Sequence, residues 1–161
     1  METIIRSGWL RRTGTFWVSL ALILTTLFSL SIPSEAASKS ARSRGGRWIE
    51  VDLSSQRLYA WQNGRRIYSM PISSGKRRTP TRVGTYAIQR KYRAKTMRGR
   101  GYVAPNVPYS MYYSGGYAIH GAYWHNRFGT PVSHGCINLP VSQARKLYAW
   151  AGTGTRVVVR R

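Results

Sequence analysis

The chain has 161 residues, with 26 lysines and arginines, four acidic residues, one cysteine and a formal net charge of +22. So few carboxylates disfavour paired-carboxylate glycosidase chemistry, a carboxylate-oriented serine triad and oxygen-ligated Ca²⁺ or Mg²⁺ sites. A single cysteine excludes an intramolecular disulfide. The excess of positive charge indicates an anionic partner: nucleic acid, phospholipid or the acidic polymers of a cell wall.

Residues 1–36 have the pattern of a secretory signal peptide. A positive region precedes an uncharged, mostly apolar run of 17 residues, Phe16 to Ile32, and small residues at Ser34 and Ala36 predict cleavage after Ala36. An uncleaved membrane anchor is the alternative, because such a run is at the lower limit for spanning a bilayer. Either way the rest is exported, to the periplasm or the cell wall, which argues against nucleic acid as the partner. Residues 37–161 keep 23 basic and two acidic residues, a net charge of +21.

The remainder predicts a disordered basic tether, residues 37–46, followed by one β-rich domain, residues 47–161. Alternating and β-branched patterns predict strands over 48–53, 57–61, 65–72, 85–89, 109–113, 116–120 and 155–160. Asn63-Gly64 predicts a type I′ hairpin between the second and third strands. The basic stretch Lys91–Arg100 is expected to be a solvated loop or an exposed ribbon. One helix is predicted after Pro140, from about Val141 to Ala151.

The residues that can carry chemistry are concentrated in one short segment. All three histidines, His120, His125 and His134, lie within the seventeen residues that end at Cys136. The thiolate is the reactive form of cysteine, and a neighbouring histidine can lower the thiol pKa from about 8.5 towards neutrality. Gly135 allows a tight turn whose N–H groups can point at a developing oxyanion. A cysteine nucleophile needs at least these residue types: a thiol, a nearby imidazole and a glycine that allows the tight turn.

Two segments, His120 to Trp124 (HGAYW) and Ser133 to Pro140 (SHGCINLP), resemble the signature of the YkuD-type L,D-transpeptidase family. Thr79 to Tyr86 (TPTRVGTY) resembles that family's Thr-Pro-x-Gly-x-Tyr segment with one extra residue before the glycine, and Tyr109-Ser110-Met111 also fits. The resemblance covers residues 47–161. It implies a mostly β, sandwich-like YkuD-type domain with one short helix after the cysteine motif.

The resemblance also implies roles for individual residues. Cys136 is the nucleophile, which attacks the carbonyl before the terminal D-Ala of a peptidoglycan tetrapeptide stem; an amine of a second stem then resolves the thioester into a 3→3 cross-link. His120 is the general base and acid, oriented by the backbone carbonyl of Gly121. Backbone N–H groups of His134, Gly135 and Cys136 form the oxyanion hole, and the His134 side chain is structural rather than the base. No metal or organic cofactor is implied.

Substrate contacts are expected from five residues: Ser133, Asn138, Trp124, Tyr109 and Met111. Asn138 stands where many family members carry arginine. Trp124 is expected either to line the substrate groove or to cap the core, and Tyr109 and Met111 either to contact substrate or to pack inside. His125 has no counterpart in the family motif and is expected to face solvent.

Alternatives remain open. Water in place of the amine would make the protein an L,D-carboxypeptidase. A secreted basic module that binds anionic cell-wall polymers, with Cys136 merely buried, would need no chemistry. The three histidines and Cys136 could hold zinc, although the His-x-Cys spacing is unusual and no carboxylate supports the ligands. The basic surface either only keeps the protein soluble or retains it on the wall by a salt-sensitive attraction.

Overall fold

The computed structural model describes residues 46–99 and 101–161. The nine strands are β1 Arg47–Asp52, β2 Arg57–Gln62, β3 Arg65–Pro71, β4 Gly84–Ala87, β5 Arg90–Gly99, β6 Tyr102–Ser114, β7 Tyr117–Gly121, β8 Ile137–Leu139 and β9 Arg156–Arg160. In these ranges the only helix is α1, Val141–Trp150, and no helix is long and apolar enough to cross a membrane. The predicted signal peptide and nearly all of the predicted tether lie outside the described residues.

The first sheet has the strand order β3-β2-β1-β9-β4. β1 pairs antiparallel with β2 and parallel with β9, so a strand from the end of the domain lies between β1 and β4. Side chains of successive residues point to opposite faces of a strand. Ile49 and Val51 of β1 and Val157 and Val159 of β9 are therefore buried on one face.

The second sheet has the strand order β5-β6-β7-β8. β5 and β6 form a long antiparallel ribbon, and β7 pairs parallel with β8. One face of this sheet contributes Met111, Ile119 and Ile137 to the main core. Its other face carries Ala118, which belongs to a smaller cluster beside Cys136. The site therefore lies on the face of the second sheet that is turned away from the main core.

Helix α1 follows β8 and packs against β6 and β7. Its buried residues are Ala144 and Leu147, and its last turn contains no basic residue. The ammonium group of Lys91, from β5, instead donates to the backbone carbonyls of Tyr148 and Ala151. A cation at this position satisfies carbonyls that have no partner within the helix and interacts favourably with the helix dipole.

The mostly β fold with one short helix after the cysteine motif is confirmed. Asn63 and Gly64 have φ values of 52° and 76°, as a type I′ hairpin requires. Of the two forms expected for the basic stretch near Lys91, the structure shows the ribbon. β6 begins at Tyr102, well before the predicted start at 109, and β8 was not predicted because a three-residue buried strand has no readable alternation.

Candidate active site

Parallel pairing of β7 with β8 brings the two halves of the sequence motif together. His120 is in register with Asn138, and Cys136 immediately precedes β8. Adjacent strands lie about 4.8 Å apart, and paired positions present their side chains on the same face. His120, Asn138 and Cys136 accordingly line one open cavity of about 410 Å³.

His120 is buried, with only 3% of its surface exposed. Its Nδ1 lies 2.9 Å from the carbonyl oxygen of Gly121. A carbonyl only accepts hydrogen bonds, so Nδ1 carries the proton of the neutral ring and Nε2 keeps its lone pair. Burial lowers the pKa of His120 to about 4. The hydrogen bond to the Gly121 carbonyl favours the charged ring and raises the pKa, but by less than burial lowers it. The ring is therefore a neutral imidazole near pH 7, able to accept a proton at Nε2.

Cys136 is held as a thiol. Its Sγ lies 3.7 Å from the carbonyl oxygen of Gly116, to which it can donate. Burial raises the pKa of Cys136, and the backbone N–H of Ala118 lowers it by a smaller amount. No histidine is among the groups that shift the pKa of this thiol, which lies above its ordinary value. The cavity therefore holds a thiol and a neutral imidazole near pH 7.

The hydroxyl of Ser133 organises the turn that carries the cysteine. It accepts a hydrogen bond from the N–H of Gly135 at 3.0 Å and donates to the carbonyl oxygen of Cys136. Gly135 has a φ of +119°, and a Cβ there would lie 2.8 Å from the ring of Tyr117. Glycine is required at this position both by the backbone conformation and by the close ring. Ser133, expected to contact substrate, has its hydroxyl committed to this turn.

Two threonine hydroxyls tie the same turn to the loop that precedes β4. Thr79 Oγ1 donates to the carbonyl oxygen of Ser133 at 3.1 Å. Thr81 Oγ1 donates to the carbonyl oxygen of Gly135 at 2.8 Å and accepts from the N–H of Gly75 at 2.9 Å. This Thr-Pro-Thr segment is part of the resemblance to the family, but its sequence predicted no role for it. Its task in the structure is to fix the backbone on either side of His134.

The hydrogen bond made by the N–H of Gly135 removes one of the donors expected for the oxyanion hole. Because that N–H already donates to the Ser133 hydroxyl, it is not free to receive a substrate oxygen. The remaining expected donors are the N–H groups of His134 and Cys136.

The His134 ring stacks on Tyr102 of β6, with ring centroids 4.7 Å apart, and both rings line the cavity. The His134 side chain therefore lies at the edge of the cavity and contacts the β5–β6 ribbon.

His125 was expected to face solvent, and that expectation is wrong. It is half-buried and lines the cavity, with Nε2 2.9 Å from the side-chain amide nitrogen of Asn138. Its Nδ1 accepts a hydrogen bond from the N–H of Arg127 at 3.2 Å. Burial, followed by the positive charge of Arg127, lowers the pKa of His125. His125 lies five residues after His120, the first residue of the HGAYW segment. Its contact with Asn138 depends on the register of β7 with β8, which the sequence does not show.

The other expected substrate contacts divide into two groups. Trp124 is 45% exposed and lines the cavity, with its ring 5.7 Å from that of His120. Met111 is completely buried in the main core, and Tyr109 packs against that core with its ring 5.7 Å from that of Tyr148. Neither lines the cavity. The packing alternative therefore describes Tyr109 and Met111, because their strand positions face α1 and the core.

Within residues 46–99 and 101–161, no three histidine, cysteine or acidic side chains are grouped closely enough to hold a metal ion. The two acidic side chains, Glu50 and Asp52, lie on β1 and contact Arg160 at 2.6 and 3.1 Å. The cavity is lined by Met97, Tyr102, Val103, Ala104, His120, Trp124, His125, Arg127, Val132, Ser133, His134, Cys136 and Asn138. Such a site offers a thiol, a neutral imidazole and backbone donors, which suits acyl transfer through sulfur.

Residues 46–159 match the sequence profile of YkuD, described as the L,D-transpeptidase catalytic domain. The chain is similar to YciB of Bacillus subtilis, with 28% identity over 138 residues that cover 70% of this chain and 64% of YciB. It is also similar to L,D-transpeptidase 2 of Mycobacterium tuberculosis, with 34% identity over 110 residues that cover 60% of this chain and 27% of that protein. The chain thus spans less than two thirds of the length of either relative.

Solved structures show the same fold. The L,D-transpeptidase of Enterococcus faecium superimposes with a TM-score of 0.68 and 32% identity over 71% of this chain and 50% of that one. LdtMt1, solved in complex with imipenem, superimposes with a TM-score of 0.69 and 26% identity over 71% of this chain and 59% of that one.

Proposed function

Because the chain belongs to the YkuD family of L,D-transpeptidase catalytic domains, we propose that it is an exported L,D-transpeptidase that forms 3→3 cross-links between peptidoglycan stems. Cys136 is the nucleophile of this proposal and His120 its general base and acid. The acyl donor is a tetrapeptide stem, and the acceptor is an amine of a second stem. No metal or organic cofactor takes part in the reaction.

The placement of Cys136 and His120 in one cavity carries this proposal. The Gly121 carbonyl holds the proton of His120 on Nδ1, which leaves Nε2 as the atom that can receive the thiol proton. In this site a backbone carbonyl does what a carboxylate does in a serine triad: it fixes the tautomer and the ring orientation. The neutral state of His120 near pH 7 suits a general base.

In the acylation half-reaction, the thiol proton moves to His120 Nε2 as Sγ bonds to the carbonyl carbon before D-Ala. The carbonyl oxygen becomes an oxyanion, for which the N–H groups of His134 and Cys136 are the proposed donors. Collapse of this intermediate breaks the amide C–N bond, and His120 gives its proton to the departing D-Ala nitrogen. In the second half-reaction, His120 takes a proton from the acceptor amine as the amine nitrogen bonds to the thioester carbon. The C–S bond then breaks to leave the new amide, and His120 returns the proton to Sγ.

The high positive charge is the proposed means of retention on the wall. Residues 37–161 carry a net charge of +21, and anionic wall polymers attract such a surface at ranges set by the ionic strength. Binding to isolated cell walls should fall steeply between low salt and roughly 0.15 M salt, where the screening length is about 8 Å. Retention that is insensitive to salt would contradict a purely electrostatic contact.

Product analysis by mass spectrometry tests the proposed reaction. The protein is incubated with a purified disaccharide-tetrapeptide, alongside a Cys136→Ala variant whose fold is checked by circular dichroism. A dimer that lacks one D-Ala, absent from the variant, is expected. A tripeptide product with free D-Ala and no dimer would identify a carboxypeptidase. Unchanged substrate in the presence of folded, reduced protein would contradict both reactions and leave the basic binding module.

A further inference from the structure

The charge in the cavity is carried by one residue. Among the lining residues in the described part of the chain, Arg127 is the only lysine or arginine, and none is aspartate or glutamate. Much of the remaining lining is apolar or aromatic, including Met97, Val103, Val132 and Trp124. A charged group beside apolar walls attracts an opposite charge more strongly than one surrounded by water. The cavity is therefore suited to a ligand with a negative group.

The backbone of Arg127 is anchored on both sides. Its N–H donates to His125 Nδ1 at 3.2 Å, and its carbonyl oxygen accepts from the Ser73 hydroxyl at 2.7 Å. Ser73 in turn exchanges two backbone hydrogen bonds of 2.9 Å with Asn138, and the Asn138 amide contacts His125. The residues form a closed ring of contacts that joins the Arg127 segment to β8. Although its side chain is exposed, Arg127 projects from a fixed backbone beside the nucleophile.

The guanidinium of Arg127 has no hydrogen bond or ion pair to any group in residues 46–99 and 101–161. The two acidic side chains in those ranges are already bound to Arg160. A guanidinium is always charged and presents its donors in a planar fork that matches a carboxylate. Within the described residues no carboxylate is therefore available to Arg127, and its guanidinium is able to bind a carboxylate of a ligand.

We propose that Arg127 binds a carboxylate of the acyl donor and makes the site selective for donors in which that carboxylate is free. This inference rests on the proposed function, because it assigns the negative group to the stem peptide. Two carboxylates are considered: the terminal carboxylate of D-Ala, and the side-chain carboxylate of the third residue in donors whose third residue is a diamino acid that carries one. Arg127 is a specificity residue in this proposal and takes no part in bond making.

The test measures binding separately from chemistry. Isothermal titration in a Cys136→Ala background gives dissociation constants for three tetrapeptides: one with both carboxylates free, one amidated at the C-terminus and one amidated on the third side chain. The same titrations are made with Arg127→Gln and Arg127→Lys added to that background. Arg145→Gln is the matched control, since Arg145 is an exposed arginine on α1 outside the cavity.

Amidation of one carboxylate is expected to weaken binding about tenfold when Arg127 is present, as for loss of a charge-assisted hydrogen bond. Arg127→Gln should weaken binding of the free donor by a similar factor and abolish the difference in affinity between donors. Arg127→Lys should retain part of that difference. Arg145→Gln should leave the difference unchanged. The position at which amidation matters identifies the carboxylate.

Equal affinities for all three peptides with Arg127 present, or an Arg127→Gln effect that is the same for all three, would overturn the inference. If the wild-type protein binds the donors with different affinities but forms no product, the proposed function is overturned and the carboxylate site is kept. The absence of binding to any of the peptides would contradict both.

Discussion

The hydroxyl of Thr81 donates to the carbonyl oxygen of Gly135 at 2.8 Å and joins the loop before β4 to the residue that precedes the nucleophile. Thr81 Oγ1 also accepts a hydrogen bond from the N–H of Gly75, so this one side chain satisfies two backbone groups. Thr81 is 5% exposed. Water cannot easily replace it, and the position of the cysteine turn depends on this buried contact.

Thr81→Val is expected to lower the free energy of unfolding by about 1–3 kcal/mol, because it preserves shape but leaves two buried backbone groups without partners. The turnover rate should also fall, since the turn that positions Cys136 loses an anchor. Urea denaturation and product formation measure the two effects. Thr85→Val, at an exposed position of β4, is the matched control. Equal stability of the two variants would show that the Thr81 contacts contribute nothing.

His120→Asn separates the orientation of the base from its basicity. The asparagine amide can still donate to the Gly121 carbonyl in place of Nδ1, but nothing replaces Nε2. Acyl-enzyme formation with a tetrapeptide donor should slow by about 10²–10⁴-fold, the usual contribution of a general base. Mass spectrometry of quenched reactions gives the rate, and thermal unfolding checks the fold. His134→Asn is the comparison, with a loss below about tenfold expected; a larger loss than in His120→Asn would reverse the two assignments.

The pKa of His120 also predicts how stability depends on pH. The unfolded chain binds a proton to this ring below about pH 6.5, whereas the folded protein does so only near pH 4. The unfolded state therefore holds more protons in this window, and stability falls as the pH is lowered through it, by at most about 3 kcal/mol. Stability above about pH 6.5 is unaffected by this group.

Urea denaturation from about pH 7.5 to 4 measures this dependence, with His120→Asn as the reference. The variant should lose less stability over the window than the wild type. His125, whose pKa is lowered too, is present in both proteins, and its own protonation lowers stability in the same direction in each. Asp52, whose carboxyl pKa is held below its usual value chiefly by the Ser54 hydroxyl, acts at lower pH. Parallel curves would contradict a neutral buried His120.

Lys91→Met is expected to destabilise the domain by about 1–2 kcal/mol, because it removes a cation from the carboxyl end of α1 and leaves two carbonyls without its donor. The Lys91 ammonium also lies 4.1 Å from the centre of the Tyr148 ring, a cation–π contact that methionine lacks. Thermal or urea unfolding measures the change. Lys146→Met, an exposed position on α1, should have little effect, and a similar loss in both variants would refute the capping role.

The sequence predicted the parts of the fold that depend on local rules. The Asn63-Gly64 turn and the helix after Pro140 follow from backbone preferences and periodicity, and both are present. The strand order was not predictable, because the parallel pairing of β1 with β9 joins segments separated by about 100 residues and leaves no local pattern.

For the site, the sequence identified the residue types but not their hydrogen bonds. Cys136 and His120 were identified through the motif and line one cavity, whereas the position of Arg127 in the cavity lining and the contact of His125 with Asn138 were not predicted. Those contacts depend on the registers of β7 and β8 and on the path of the loop between them. The direction of the thiol pKa shift was not predictable either, because the burial that raises this pKa is a property of the packed structure.

The position of β9 has a consequence for how the chain reaches its folded state. Residues 156–160 fill the place between β1 and β4, so the first sheet has two exposed strand edges until these residues arrive. A chain that is synthesised from its N-terminus supplies this strand after the other strands of the described domain. Folding must wait for that non-local pairing, which slows it and prolongs the exposure of unpaired edges.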